Sequence, residues 1–87
     1  MQLTKELKKY IKSLHQLKYR QKYNKFIAEG PKVCLEFLKS GKYEIEYLVI
    51  TETLYLENVY QFSKFSGKTI ICNDKELNSI SGFKSPN

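Results

Sequence analysis

The sequence has no tryptophan, a single histidine and only two cysteines among its 87 residues. Without a Cys-x-x-Cys pair, these residues are too few for a structural zinc site and predict no disulfide framework. The longest apolar run is four residues, Tyr47 to Ile50, whereas a membrane-spanning helix needs about 20. The N-terminus also lacks the apolar core of a signal peptide. We therefore expect no metal site, no membrane partner, a cytoplasmic location, and free, buried thiols at Cys34 and Cys72.

The length of the chain bounds its organisation. Eighty-seven residues correspond to one small domain, so residues 1–87 are expected to form a single unit. The hydrophobic share of 41% is enough for one modest core and gives no compositional case for disorder. A domain of this size is too small to hold a deep active-site cleft between two lobes.

The charge of the chain is concentrated at one end. Residues 1–25 contain eight basic side chains and one acidic side chain, a net charge of +7. The other 62 residues contain seven basic and eight acidic side chains, a net charge of −1, which together give the total of +6. A one-sided basic segment indicates a polyanionic partner, nucleic acid before membrane. The alternative from charge alone is a solvated face that keeps the protein soluble.

The basic region divides into two predicted parts. Apolar residues at three- and four-residue spacing predict a helix over residues 3–18, with Thr4 as its cap and most of its lysines off the apolar stripe. Residues 19–25 break this period, and we interpret them as a basic connecting segment.

Residues 26–87 alternate between strand and helix patterns. Strands are predicted at 26–28, where Phe26 is expected to be buried, at 45–51 and at 68–72. Helices are predicted from Pro31 up to Gly41, over 53–65, and over 74–81 behind a capping box of Asn73 and Glu76. This alternation predicts an α/β body with a mainly parallel central sheet.

Two stretches of the sequence carry a resemblance to a known family. The first runs Ile11-Lys12-Ser13-Leu14, then Leu17-Lys18-Tyr19-Arg20, then Phe26-Ile27-Ala28-Glu29-Gly30. The second is Ile80-Ser81 followed by Lys84-Ser85-Pro86. In order and spacing they resemble the N-terminal substrate-binding domain of SpoU/TrmH RNA 2′-O-ribose methyltransferases, over essentially the whole chain.

The resemblance implies both a fold and a division of labour. The implied fold is a three-layer α/β/α sandwich similar to ribosomal proteins that bind kinked RNA. The implied partners are rRNA or tRNA and the enzyme's own knotted catalytic domain, which would follow Asn87, bind S-adenosylmethionine and form a homodimer. The family's Asn-x-Gly … Arg stretch is missing from residues 1–87. We therefore expect no catalytic residue and no cofactor-binding residue in this segment.

The candidate RNA contacts lie in the basic region. Lys and Arg neutralise phosphates, and arginine adds a planar fork for bidentate contact. Tyrosines between such charges either stack on unpaired bases or dock the first helix onto the sheet. The predicted RNA-binding residues are Lys12, Lys18, Tyr19, Arg20, Lys22, Tyr23 and Lys25.

Glu29 and His15 carry no sign of catalysis, and a second class of protein fits the same sequence pattern. Glu29 lies near a helix N-terminus without a catalytic partner, so we interpret it as structural, and His15 as a partly buried helix residue. The alternative to a methyltransferase module is a stand-alone ribosomal or kink-turn RNA-binding protein of the same fold. The reading frame after Asn87 distinguishes the two hypotheses, because a second domain would need roughly 150 further residues.

Overall fold

A computed structural model describes residues 2–82 of the protein. Within them lie two short strands, β1 (Leu48–Thr51) and β2 (Thr69–Cys72), which pair in parallel with Leu48 opposite Thr69. Helices precede, separate and follow the strands. The predicted α/β fold with a parallel sheet is therefore confirmed in its coarse form, whereas the three-layer sandwich stays a prediction.

The basic region forms two helices, so the predicted single helix over 3–18 is wrong. Helix α1 (Lys5–Ser13) begins behind Thr4, whose Oγ1 accepts a hydrogen bond from the Leu7 N–H at 3.1 Å. A turn at residues 14–16 ends it, and Gln16 is extended. Helix α2 (Leu17–Tyr23) follows and ends at Asn24, whose backbone is left-handed with a φ of 56°.

The prediction of a connecting segment over residues 19–25 is also wrong, because α2 covers residues 17–23. Periodicity extended the apolar stripe of α1 to Leu17, but this side chain is 60% exposed. The carbonyl of Leu14, at the end of α1, instead accepts a hydrogen bond from Nη1 of Arg20 at 3.1 Å. Carbonyls at a helix end need partners from outside that helix, and α2 supplies one here. We use "helix pair" for α1 and α2 together.

Residues 26–28 do not form the predicted strand. Phe26 is 54% exposed, and its ring contacts Phe37 and Tyr43 edge-to-face, at centroid distances of 5.8 and 5.5 Å. Residues 26–31 and β1 line the same apolar groove, of about 800 Å³, instead of pairing as neighbouring strands. Phe26 is therefore part of an aromatic cluster at the surface, together with Phe37 and Tyr43.

Helix α3 (Pro31–Ser40) follows the sequence prediction closely. Gly30 precedes it with a φ of 100°, Pro31 is its first residue, and Gly41 ends it with a φ of 65°. Both glycines occupy backbone conformations that side chains disfavour. Among its apolar residues, Cys34, Phe37 and Leu38 are half-buried and Val33 is exposed, so the burial predicted for Cys34 is only partial.

The core forms around β1 and the helical connection to β2. Leu48, Ile50 and Phe62 form a buried cluster, and Phe62 and Ile70 are fully enclosed. The predicted helix over 53–65 is divided into α4 (Glu52–Glu57), α5 (Val59–Phe62) and a 3-10 helix (Ser63–Lys68). The division occurs at Asn58, whose side-chain Nδ2 donates to the Leu54 carbonyl at 3.1 Å.

The last described helix, α6 (Asp74–Ile80), confirms the predicted capping box. Oδ1 of Asn73 accepts from the Glu76 N–H at 2.8 Å, and Oε1 of Glu76 accepts from the Asn73 N–H at 3.2 Å. This helix packs against both α1 and β1, which connects the basic region to the sheet. The Lys84-Ser85-Pro86 part of the family resemblance lies outside the described residues.

Candidate nucleic-acid interface

The helix pair, together with Lys25 just beyond its end, carries the basic side chains of residues 5–25. Lys12, Lys18, Lys22 and Lys25 are exposed, while Arg20 is half-buried. No side chain of α2 is fully buried, and Ile11 is the buried residue of α1. The helices therefore contribute little to the core and leave their charges available to a partner.

Three tyrosines join the two helices. The Tyr23 ring lies edge-to-face on Tyr10 of α1, at a centroid distance of 5.2 Å, and stacks on Tyr19 at 6.2 Å. The ammonium groups of Lys18 and Lys22 lie over the rings of Tyr19 and Tyr23, at 5.0 and 5.4 Å from the centroids. Tyr23 thus packs α2 against α1, and Tyr19 stacks on Tyr23 within α2. Stacking on RNA bases stays a prediction.

Arg20 has a structural contact that sequence reasoning missed. Nη1 of its guanidinium donates to the Leu14 carbonyl at 3.1 Å, and the residue is half-buried. A guanidinium carries five N–H donors, so this bond leaves others for a phosphate. Arg20 can therefore stabilise the turn between the helices and contact RNA at the same time.

Lys25 is paired with an acidic residue from another part of the chain. Its Nζ lies 2.7 Å from Oε2 of Glu46, and both side chains are substantially exposed. Glu46 also interacts with the Tyr10 hydroxyl. The pKa of Glu46 is lowered by its hydrogen bond to Lys25, and the pKa of Lys25 is raised by the same contact. Charge counting along the sequence could not find this pair, because its members are 21 residues apart.

A second polar cluster joins Glu29 to the end of α6. Oε1 of Glu29 accepts from the Ser81 hydroxyl at 2.6 Å, and Oε2 accepts from the Gly82 N–H at 2.9 Å. Nε2 of His15 donates to the Ile80 carbonyl at 2.8 Å. We call Glu29, His15, Ser81 and Gly82 the Glu29 cluster. The structural role predicted for Glu29 agrees with these contacts, although its partners were not predicted.

The remaining candidate groups are not assembled into a reactive centre. Cys34 and Cys72 are free thiols; Cys72 is buried, Cys34 half-buried, and burial raises the pKa of each. Within residues 2–82, no three His, Cys, Asp or Glu side chains are grouped in a way that could hold a metal ion. The helices that the structure describes include none long and apolar enough to span a membrane.

Comparison with known protein families identifies the family of this chain. The model of the family described as "MRM3-like substrate binding domain" matches residues 6–87. The chain belongs to the MRM3-like substrate-binding domain family. This domain occurs in SpoU/TrmH-type RNA methyltransferases, so the resemblance seen in the sequence is confirmed. Comparisons with curated proteins and with solved structures returned no match.

Proposed function

We propose that this MRM3-like substrate-binding domain binds the rRNA or tRNA substrate of a 2′-O-ribose methyltransferase through its helix pair. The observation that carries the proposal is the net charge of +7 in residues 1–25, which the fold gathers onto α1, α2 and Lys25. Phosphate neutralisation by Lys and Arg supplies most of the affinity of such surfaces. The family match supports RNA as the partner.

The proposal extends to the parent protein. A catalytic domain after Asn87 would use S-adenosylmethionine, form the homodimer and act in the cytoplasm, while this segment would present RNA. The proposed contacts are Lys12, Lys18, Tyr19, Arg20, Lys22, Tyr23 and Lys25. On this division of labour, isothermal titration of the 87-residue protein with S-adenosylmethionine should give no binding heat.

The RNA proposal can be tested with a 20-nucleotide oligouridine strand. Fluorescence anisotropy at several salt concentrations should show that log affinity falls linearly with log salt. The slope of this line should be about −0.7 for each phosphate contact. A Lys18→Ala/Lys22→Ala double variant should weaken binding and reduce the slope by about 1.4, which corresponds to two contacts. Arg20 is left intact because it also bonds the Leu14 carbonyl.

The matched control is a Lys39→Ala/Lys42→Ala double variant. It removes the same charge from exposed positions at the end of α3 and just beyond it, outside the helix pair. This control should bind with nearly the affinity and slope of the natural protein, and circular dichroism should show that both variants are folded. Equal behaviour of the two double variants would remove Lys18 and Lys22 from the RNA surface.

A further inference from the structure

One basic group of the proposed RNA surface already has an anionic partner within the protein. The Lys25–Glu46 distance of 2.7 Å is that of a direct charge-assisted hydrogen bond. In the described part of residues 5–25, no other Lys or Arg is paired with a carboxylate in this way. The proposed contacts are therefore not equivalent, because Lys25 alone is neutralised before RNA arrives.

The position of Glu46 suits it to compete with RNA. It lies in the segment before β1, outside the helix pair, and it meets Lys25 just beyond the end of α2. The Tyr10 hydroxyl interacts with the same carboxylate, and Glu44 adds negative charge near Lys25. The carboxylate and a phosphate compete for the single positive charge of Lys25, and the negative charge of Glu46 already offsets most of its attraction for a phosphate.

The exposure of the pair makes exchange feasible. The side chains of Lys25 and Glu46 are 43% and 38% exposed, and ion pairs in contact with water contribute little net stability. A phosphate could therefore replace the carboxylate without disrupting the core. Until it does so, a neutralised Lys25 adds no net charge to the surface and contributes little to counterion release.

We propose that Glu46 restrains the RNA-binding surface by occupying, at Lys25, the place that an RNA phosphate would take. This inference rests on the proposed function and adds a specificity-determining residue to it. The natural protein then binds through Lys12, Lys18, Arg20 and Lys22 with a salt slope of about −2.8, and release of Lys25 brings the slope to about −3.5. An RNA whose sequence or shape places a phosphate at Lys25 gains this contact only if that phosphate displaces the Glu46 carboxylate.

The test compares Glu46→Gln with Glu57→Gln, using the same oligouridine strand. Both variants remove one negative charge, but Glu57 is an exposed residue at the end of α4, on a different element from Lys25 and its partner. Glu46→Gln should steepen the slope by about 0.7 and, with equal affinities at 1 M salt, bind about eightfold more tightly at 50 mM salt. Glu57→Gln should behave like the natural protein.

Lys25 and Lys22 variants add a second test, whose first part does not depend on the folding of Glu46→Gln. In the natural background, Lys25→Ala should leave the slope nearly unchanged, whereas Lys22→Ala should reduce it by about 0.7. In the Glu46→Gln background, Lys25→Ala should abolish the gain in affinity.

The outcomes separate this inference from the proposed function. If the natural protein binds and Glu46→Gln does not differ from Glu57→Gln, the inference is overturned and the proposed function stands. Equal losses of slope from Lys25→Ala and Lys22→Ala in the natural background would overturn it as well. If the natural protein shows no binding even at low salt, the proposed function and the inference fail together.

Discussion

The strand body of residues 48–72 is held by enclosed apolar side chains, whereas the helix pair of residues 5–23 is held mainly by contacts at its surface. Phe62 and Ile70 have no exposed area in the body, and Leu48 and Ile50 are nearly as enclosed. The helix pair depends instead on stacked tyrosines and on the bond from Arg20 to the Leu14 carbonyl. Charged residues are rarely fully buried, so a segment that carries many of them has little apolar material left for a core.

The difference teaches how a small domain can combine stability with a charged binding surface. The body supplies most of the hydrophobic burial. The helix pair is attached to it through Ile11 and Leu14, which are buried at the end of α1, and through a few polar contacts. The Glu29 cluster joins the turn between α1 and α2 to the end of α6, and the Lys25–Glu46 pair joins the end of α2 to the segment before β1. The following predictions test this division, beginning with the largest expected effect.

Truncation of Phe62 should be the most damaging change. Phe62→Ala removes a fully enclosed ring from the core cluster and should lower the free energy of unfolding by about 3–5 kcal/mol. Phe26→Ala is the matched control, because it removes the same ring from a half-exposed aromatic cluster and should cost about 1 kcal/mol. Urea unfolding followed by circular dichroism measures both. Similar losses would show that the Phe26 cluster contributes to stability as much as the enclosed core does.

Filling the space at Gly82 should weaken the connection between the regions. A Cβ at this position would lie 2.7 Å from the His15 ring and 3.0 Å from Oε2 of Glu29, so Gly82→Ala should cost about 1–3 kcal/mol. At Gly67 a Cβ would meet nothing within 4 Å, so Gly67→Ala should stay within about 0.5 kcal/mol of the natural protein. Thermal or urea unfolding compares the two. Equal stability would mean that the Glu29 cluster is not needed to join the regions.

Replacing Tyr10 with Phe should have the smallest effect on stability, and this effect should appear only at alkaline pH. Burial, with a further contribution from Glu46, raises the pKa of Tyr10 to about 12. Because the folded-state pKa lies above the unfolded value of about 10, this stabilisation is complete below pH 10 and is lost as pH rises toward 12. Tyr10→Phe should therefore lose less stability between pH 9 and 11.5 than the exposed control Tyr60→Phe, as measured by urea midpoints. Parallel losses in both variants would place the Tyr10 hydroxyl in an ordinary solvated environment.

Features set by neighbouring residues were predictable from sequence. The Asn73–Glu76 capping box and the Gly30-Pro31 start of α3 depend on contacts within one helical turn, and both are confirmed. The Glu29-Gly30 stretch also indicated the family correctly. Among the predictions that failed, those for Leu17 and Phe26 interpreted hydrophobicity as burial. Whether an apolar side chain is covered depends on distant parts of the chain, which periodicity does not contain.

The sequence by itself determined the charge asymmetry, the parallel α/β pattern and the family of the domain. Each of these follows from composition or from local order, which exist before the chain folds. The tertiary structure alone decided that Arg20 bonds the Leu14 carbonyl, that Glu29 holds the end of α6, and that Lys25 is paired with Glu46. The last two contacts join residues 53 and 21 positions apart, and directional polar contacts of this kind form only where the packed fold brings their atoms within hydrogen-bonding distance.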